Sequence, residues 1–389
     1  MNFQLTDEQR ALQDTARKFA SAELPALARD MEEKDYPVPH DMLRTYGEMG
    51  FLGVNLPTEY GGLGLGHVEA LLVLEEFAKI SNAVAFPVFE ALVGPVRTIE
   101  RFGSAEMKAR ILPEVIRGEK VVAVSMSEPD AGTALTDLKT RAVLDGNHYR
   151  VNGYKRWTSG GGHSGYYVTY CRFSDEPGAK GIGAILLEKD LAGMQFGKRE
   201  ELMGFRGIAT ADYAIEDVRV PAGNVIIGAG GFGKLMSAFG LERCGNATQS
   251  LGVAAAALEA ATRYVKEREA FGKPIIEFQA VQLKLAEMAM KVEAARLLIH
   301  RAAANAAHQP DGLPTVYESS VAKCYANEIV RDVAAMGMQV MGGYGYHKDY
   351  GMEQRLRDGF AWGIAGGSID VQKTNIAAAL VGRRFDQRR

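Results

Sequence analysis

The chain has 389 residues, of which 47% are hydrophobic and 24% charged, a balance that is ordinary for a globular protein of two or three domains. Its formal net charge of −3 gives no electrostatic reason to expect nucleic acid or an anionic membrane as a partner. Three widely spaced cysteines form no metal-binding or disulfide pattern, and no apolar stretch approaches ~20 residues, so we expect no metal, no membrane span and a reducing, cytoplasmic location.

Residues 1–120 have the pattern of an N-terminal helical domain. Thr6 and Gln9 have the spacing of a capping box, which is typical of a helix start, and apolar residues then recur every three or four positions. The glycine-rich run 61–66 interrupts this pattern, and a further helix is predicted over 68–79.

Residues 121–228 change to short β-branched and aromatic runs separated by Gly, Asp and Asn, which is typical of a small barrel or sandwich. The predicted strands are 121–124, 148–151, 165–171, 182–187, 211–215 and 224–227. Residues 229–389 are alanine-rich and predict long amphipathic helices in an antiparallel bundle. These helices are predicted over 235–257, 253–268, 280–307, 317–340 and 369–383. The sequence therefore predicts an α+β multidomain protein.

Two glycine-containing motifs lie in the last third of the chain. Residues 228–233 match the G-x-G-x-x-G spacing of a dinucleotide-binding loop, but no βαβ unit follows, so we favour a turn between domains over a phosphate-binding loop. Arg268 and Gln279 flank a turn between two predicted helices, where a guanidinium and an amide can bind a pyrophosphate and an adenine edge. The alternative for Arg268 is a cap on its own helix.

The chain resembles an acyl-CoA dehydrogenase throughout its length. Residues 127–133 (SEPDAGT) are similar to the family's T-E-P-x-A-G-S segment, and residues 151–159 (VNGYKRWTS) to its N-G-x-K-x-W-I-T strand. Further matches at 267–272, 286–289 and 339–346 follow in the family's order. Several independent motifs in one order are far more specific than any single motif.

The resemblance implies a central β domain, a C-terminal four-helix bundle and FAD held between them. The cofactor-binding residues implied in the β domain are Met126, Ser127, Gly132, Trp157 and Ser159. Those implied for the diphosphate and adenosine, on a neighbouring subunit, are Arg268, Phe271, Gln279, Gln339 and Gly343. The resemblance also implies a homotetramer and an electron-transfer flavoprotein as redox partner.

Desaturation of an acyl thioester requires a base for the α proton, a flavin for the β hydride and donors that polarise the thioester oxygen. The family usually carries its base in a Y-E-G-T-S-E-I-Q segment. Matching residues 364–372 to that segment places Ala365 at the tyrosine and Gly366 at the glutamate. This chain therefore needs its base elsewhere.

Glu242 is the first candidate for that base. It shares a helical stripe with Leu235, Phe239 and Asn246, so we expect it to be desolvated and more basic. The isovaleryl and long-chain branches of the family carry their base in a matching L-E-R segment. The alternative is a buried structural glutamate paired with an arginine.

Glu90 is the second candidate. It lies in an apolar stretch, residues 86–92, that matches the family's acyl-pocket helix. A structural role is favoured there, with removal of a remote proton or binding of a polar acyl terminus as alternatives.

The acid-free loop and its neighbours predict further contacts to substrate and cofactor. Ser368 is a predicted helix N-cap with Asp370 in the first turn, both near FAD, and the resemblance assigns the Gly366 N–H to the thioester oxygen. A merely structural turn is the alternative. Arg243 and Thr133 are the predicted contacts to coenzyme A, and Phe239 is predicted to bind the acyl group. The alternative for Arg243 is simple pairing with a neighbouring acid.

The predicted function is therefore α,β-desaturation of an acyl-CoA by an FAD enzyme. Ala365 and Gly366 stand where the family has Tyr and Glu, so less side-chain volume lies beside the flavin. The larger space favours a branched or alicyclic acyl group. Crotonobetainyl-CoA reductases also carry G-G-S in this loop and run towards saturation, so an enoyl-CoA reductase is one alternative. A catalytically inert FAD-binding subunit of a hetero-oligomer is the other.

Overall fold

The computed structural model describes residues 3–385, so the outermost ends of the predicted first and last domains, residues 1–2 and 386–389, lie outside the described part. Helices, then strands, then helices follow one another along the chain, which confirms the predicted α+β class. The first section contains α1 (Asp7–Lys34), α2 (His40–Glu48), α3 (His67–Ile80), α4 (Asn82–Leu92), α5 (Val96–Phe102) and α6 (Ala105–Ile116).

The first helix begins where the sequence predicts it. The Thr6 hydroxyl accepts a hydrogen bond from the Gln9 N–H at 3.2 Å, and the Gln9 side chain accepts one from the Thr6 N–H at 3.0 Å. This pair is the predicted capping box.

The helix α4 differs from the amphipathic α1 because it is buried along its whole length. It therefore lies in the interior where the three sections meet.

The middle section is one eight-stranded sheet. Its strands are β1 (Val122–Ser125), β2 (Arg141–Asp145), β3 (His148–Ser159), β4 (Tyr166–Arg172), β5 (Ile182–Glu188), β6 (Met194–Arg199), β7 (Thr210–Pro221) and β8 (Val225–Ile227). The strand order is β6-β7-β3-β2-β4-β5-β8, and β1 pairs with β4 in parallel. Within residues 3–385 no pairing joins β6 to β8, so a closed barrel is not shown.

Two of these strands, β2 and β6, were not predicted from the sequence. Both are short and mostly exposed or half-buried, so their residues carry little of the apolar signal from which a strand is predicted. The predicted strand 148–151 is also much longer, because all of β3 pairs with β7 on one side and its first half with β2 on the other.

The last section is a helical bundle. It contains α7 (Phe232–Glu267), the two-residue strands β9 (Glu269–Ala270) and β10 (Lys273–Pro274), α8 (Gln279–Asn305), α9 (Val316–Met341), α10 (Gly343–Tyr346), α11 (Met352–Asp358), α12 (Ala361–Ile364) and α13 (Ile369–Val381). The four long helices are α7, α8, α9 and α13, and α9 packs against each of the other three. No helix within residues 3–385 is long and apolar enough to cross a membrane.

The helix α7 is continuous, whereas the sequence predicted two overlapping helices in this region. Its internal glycines allow close approach of the first section: a Cβ at Gly245 would lie 2.3 Å from the Val93 side chain, and one at Gly252 would lie 2.5 Å from Ala78. The glycine-rich residues 228–233 form the turn between β8 and α7. Within residues 3–385 the only strands after α7 are the two-residue β9 and β10, which pair with each other, so no βαβ unit follows this turn, as expected.

Candidate active site

Glu242 lies on the buried face of α7. Only 7% of the residue is exposed, and burial raises the pKa of its carboxyl to about 7, against the attraction of the Lys323 and Arg243 cations. Phe239 and Asn246 are buried one turn away on either side along the same stripe. Glu242 is therefore a desolvated acid whose protonation changes near neutral pH.

Lys323 on α9 faces this carboxyl from across the bundle and is fully buried, with 0% exposure. Its ammonium donates to the Asn246 side-chain oxygen at 3.0 Å and to the backbone oxygens of Trp362 and Ala365, each at 2.9 Å. Burial lowers the pKa of the Lys323 ammonium. Its three acceptors nevertheless use all three protons of an ammonium, so the geometry favours the charged form.

The loop at Gly366 is the segment that lacks the family's acid. Gly366 has φ +64°, and a Cβ there would lie 2.5 Å from the Asn246 side-chain oxygen. Asn246 therefore occupies space that a side chain at 366 would need, and the volume opened at this position is smaller than the sequence suggests. Since Asn246 and Glu242 are one helical turn apart, about 6 Å along α7, Glu242 and Gly366 belong to one site.

Arg243 lies beside Glu242 in sequence but makes no side-chain hydrogen bond through Nε or Nη1 within the described residues, although both atoms are buried. Burial lowers the pKa of its guanidinium, and Glu242 opposes that effect. Buried donors without partners are rare in proteins. Arg243 is therefore poised for an acceptor that the described residues do not provide, and through these two atoms it forms no ion pair with Glu242.

Glu90 on α4 is also buried, but in a different place. It lines a small cavity of about 20 Å³ together with Phe86, His163 and Ala209, and neither Glu242 nor Phe239 lines this cavity. Burial alone raises the pKa of its carboxyl well above the ordinary value, and no cation opposes the shift. Glu90 and Glu242 therefore do not line the same cavity.

The predicted flavin-binding residues of the β domain are held by a buried ion pair. Lys155 donates to Glu128 at 2.8 Å and to the Met126 backbone oxygen at 3.1 Å. The Arg156 N–H donates to the Ser127 oxygen, which aligns the segment after β1 with the end of β3. At that end Ser159 is half-buried and Trp157 is 51% exposed with φ +57°, and the Arg156 guanidinium lies 4.4 Å from the centre of the indole ring.

The loop after Ser127 carries the two other predicted contacts of this domain. Gly132 and Thr133 are both exposed, and a Cβ at Gly132 would meet nothing within 4 Å. A β-bridge between Glu128 and Ala131 fixes the start of the loop. Both residues are accessible, and the Thr133 side chain makes no hydrogen bond within residues 3–385.

The residues predicted for the distal half of the cofactor are exposed on the bundle. Arg268 and Gly343 line one open cavity of about 560 Å³ that also includes Tyr264 and His347. The other three, Phe271, Gln279 and Gln339, are exposed outside the lining of this cavity, and Phe271 is 93% exposed. The structure therefore joins Arg268 to Gly343 but leaves this group of residues open to solvent within one chain.

The last predicted residues follow the Gly366 loop. The Ser368 hydroxyl accepts from the Val371 N–H at 3.4 Å as the N-cap of α13, and Asp370 is exposed in its first turn. The predicted cap is thus present. Within the described residues no cluster of three or more His, Cys, Asp or Glu side chains is placed to hold a metal.

Sequence reasoning missed Lys323 and the role of Asn246 in the site. Lys323 lies on the apolar stripe of α9 with Ala326, Val330 and Ala334, at spacings of three, four and four. A charged residue on a core stripe is rarely left buried without a partner, so this lysine was the available signal.

Three family models match the chain in order. They are the N-terminal domain of acyl-CoA dehydrogenases over residues 6–119, the middle domain over 123–218 and the C-terminal domain over 229–381. Together with the fold and the buried acid on α7, these matches define the class of protein. The chain belongs to the acyl-CoA dehydrogenase family, whose members are flavoprotein oxidoreductases.

Individual relatives match over nearly the whole chain. The acryloyl-CoA reductase (NADH) of Anaerotignum propionicum is 37% identical over 98% of this chain and 97% of its own length. The 3-sulfinopropanoyl-CoA desulfinase of Paraburkholderia xenovorans (strain LB400) is 35% identical over 100% and 99%. The mitochondrial isobutyryl-CoA dehydrogenase of Dictyostelium discoideum is 36% identical over 97% and 90%. The solved butyryl-CoA dehydrogenase of Megasphaera elsdenii has a TM-score of 0.93 at 31% identity, covering 98% of this chain and 100% of that one.

Proposed function

We propose that this protein is an FAD-dependent acyl-CoA dehydrogenase that desaturates a short, compact acyl thioester, with Glu242 as the base. The observation that carries the proposal is the desolvated Glu242 carboxyl, whose pKa is about 7, one helical turn from the side chain that contacts Gly366. A general base is most effective when its pKa lies near the working pH. The carboxyl that the loop lacks is thereby supplied from α7.

In this mechanism the Glu242 carboxylate takes the proton from Cα, and the electron pair of that C–H bond becomes the new Cα–Cβ double bond. FAD held by the residues named below would supply the hydride-accepting chemistry that the departure of hydride from Cβ requires. The Gly366 N–H donates to the thioester oxygen while negative charge develops on it. Burial of the site strengthens both effects, because charges interact more strongly where the dielectric constant is low.

The residues that would hold FAD fit the group. The exposed indole of Trp157 and the polar Ser127 and Ser159 suit a flat, hydrogen-bonding ring system. Arg268 and the open backbone of Gly342–Gly343 suit a diphosphate, since a Cβ at either glycine would meet nothing within 4 Å. Met126, Gly132, Ser368 and Asp370 complete the proposed set.

A second chain is part of the proposal, because the residues for the distal half of FAD are open to solvent in one chain. The exposed apolar residues Leu283, Met290 and Leu297 recur every seven positions on α8. Such a stripe is typical of a helix that packs against another protein surface. We therefore propose that Phe271, Gln279 and Gln339 bind FAD of a neighbouring subunit within a homotetramer.

The acyl group is proposed to be short. Phe89 of α4 packs against Gly245 of α7, and its ring lies 5.1 Å from that of Trp362, so aromatic side chains fill the space between these helices. Asn246 fills part of the space beside Gly366. A compact branched or alicyclic group still suits such a cavity better than a long straight chain, and the isobutyryl-CoA dehydrogenase relative supports this preference.

An anionic acyl terminus is not favoured. The helix α4 carries no Lys or Arg, and its only ionisable residue is the buried Glu90. A carboxylate or sulfinate beside these residues would lack a cationic partner. This composition argues against a desulfinase activity like that in the name of one relative. Arg243 and Thr133 are left for the coenzyme A portion.

Reduction of an enoyl thioester is the second candidate function. The acryloyl-CoA reductase relative favours it, and Glu242 would then deliver a proton to Cα as the acid. The same residues serve oxidation and reduction, so the electron partner determines in which direction the reaction runs. For the oxidative direction we propose an electron-transfer flavoprotein as acceptor.

Anaerobic titration of the purified FAD protein tests these proposals. Straight, branched and ring acyl-CoAs of equal carbon number are added while the flavin absorbance is followed, and the reduced protein is then mixed with the matching enoyl-CoAs. The dehydrogenase proposal predicts bleaching by short branched thioesters ahead of straight ones. A protein that binds FAD but responds to no thioester in either direction would be the inert subunit instead.

A further inference from the structure

Lys323 has an unusual set of partners for a fully buried cation. All three of its acceptors are neutral oxygens, and two of them, on Trp362 and Ala365, are backbone carbonyls of the segment that carries Gly366. Asn327, one turn further along α9, also donates to the Trp362 oxygen at 2.7 Å. Side chains of α9 therefore hold this segment by donating hydrogen bonds to the segment's backbone carbonyl oxygens.

The contact to Ala365 determines the direction of the Gly366 N–H. The Ala365 C=O and the Gly366 N–H belong to one peptide unit, which is planar and trans. In such a unit the two bonds point in opposite directions. A carbonyl aimed at the Lys323 ammonium consequently aims the Gly366 N–H away from α9, and this N–H donates to no acceptor within the described residues.

We propose that Lys323 is a positioning residue for the reaction: it fixes and polarises the Ala365–Gly366 peptide so that the Gly366 N–H donates to the thioester oxygen in the transition state. This inference rests on the function proposed above. A cation on the carbonyl oxygen withdraws electron density from the peptide and makes its N–H a stronger donor. Because the ammonium is buried, water does not screen this effect.

A purely structural lysine would hold the loop without affecting the substrate's electronic state. The two roles differ in what happens to the bound thioester carbonyl. A stronger, well-aimed N–H lowers the stretching frequency of that carbonyl and acts mainly on the transition state, so kcat falls on its loss while KM stays nearly constant. A loop that is merely loosened raises KM and leaves the frequency of any correctly bound thioester unchanged.

The test uses infrared difference spectra of the FAD enzyme with a thioester labelled with ¹³C at its carbonyl. For the wild type we expect a carbonyl frequency below that of the free thioester in water. In Lys323→Met the carbonyl frequency should rise part of the way back to that of the free thioester. We also expect kcat to fall by roughly 10- to 100-fold, with KM within about threefold of the wild-type value. Lys291→Met is the control, since Lys291 pairs with Asp332 of α9 at 2.8 Å, away from the loop, and should change neither quantity.

Two results would overturn the inference. One is a folded, FAD-loaded Lys323→Met enzyme with wild-type kcat and carbonyl frequency, and the other is a wild-type enzyme in which binding does not lower the frequency at all. The second result requires no variant, so a Lys323→Met protein that fails to fold leaves the inference testable. Loss of activity in Glu242→Gln, measured in parallel, shows that the proposed function stands even if the role of Lys323 does not.

Discussion

Two buried glutamates lie on different helices, Glu242 on α7 and Glu90 on α4, and differ in their electrostatic surroundings. Glu242 on α7 faces the cations Lys323 and Arg243, and the pKa of its carboxyl is about 7. Glu90 on α4 faces no cation, so burial raises the pKa of its carboxyl well above the ordinary value without opposition. Both residues are almost equally inaccessible. Burial alone therefore does not make a catalytic base.

The difference indicates what each acid can do at neutral pH. Glu242 is ionised in a large fraction of molecules and is still basic enough to take a proton. Burial favours the uncharged form of the Glu90 carboxyl, which allows it to remain in a cavity without a cationic partner. We therefore propose proton transfer by Glu242 and a structural role for Glu90.

Replacement of Glu242 by Gln should have the largest effect. The amide has the same shape but accepts no proton, so kcat should fall by on the order of 10²–10⁴-fold. Steady-state turnover with a short acyl-CoA measures this loss, and FAD absorbance confirms that the protein is loaded. Activity within tenfold of wild type would remove Glu242 from the mechanism.

Replacement of Gly366 by Ala should have the next largest effect. The new Cβ would sit in the left-handed region and 2.5 Å from the Asn246 side-chain oxygen, so the loop must shift and its N–H with it. We expect kcat to fall by roughly 10- to 100-fold.

The matched control for this substitution is Gly146→Ala. Gly146 has φ +63°, but a Cβ there would meet nothing within 4 Å, and the residue lies in the turn between β2 and β3. This variant should lose about 1 kcal/mol of unfolding free energy and keep its kcat. Equal loss of kcat in both variants would mean that backbone strain, not the site, causes the effect.

The pH dependence should follow Glu242. Its carboxyl must be ionised to take the α proton, so kcat/KM should fall about tenfold per pH unit below pH 7 and level off above it. The sign for stability is opposite: because the folded pKa is raised, the stabilisation is present below the ordinary value of 4.5 and is lost as pH rises through about 7. Denaturant titrations of wild type and Glu242→Gln at pH 5 and pH 8 measure this change in the free energy of unfolding. A profile of kcat/KM that is flat from pH 5 to 8 would contradict the proposed role of Glu242 as the base.

Replacement of Glu90 by Gln should have the smallest effect on turnover. A protonated carboxyl and an amide are both neutral, so kcat should change by less than about threefold. The same assays measure it beside Glu242→Gln. If Glu90→Gln lost turnover and Glu242→Gln kept it, the roles of the two acids would be reversed.

The sequence predicted much of this arrangement because helical periodicity is strong in long helices. Phe239, Glu242 and Asn246 recur on one stripe, which predicted a buried acid on α7, and the Thr6 capping box located the start of α1. The short strands β2 and β6 escaped prediction because their exposed residues lack an apolar pattern.

The rest of the site depends on contacts between segments far apart in the chain. Asn246 and Gly366 meet only because α7 and the loop pack together, so sequence alone indicated an open volume where the structure has an amide. Lys323 lies 77 positions from Asn246 and reaches it from another helix. Spacing within one helix does not reveal such a contact.

Exchange of the α proton with solvent deuterium tests the central claim most directly, because it reports proton transfer even where hydride transfer is slow. The FAD enzyme and its Glu242→Gln and Glu90→Gln variants are incubated anaerobically in D₂O with a short acyl-CoA, and deuterium at Cα is followed by mass spectrometry. We predict incorporation by wild type and Glu90→Gln and none above background by Glu242→Gln. Incorporation at the wild-type rate in Glu242→Gln would contradict the account.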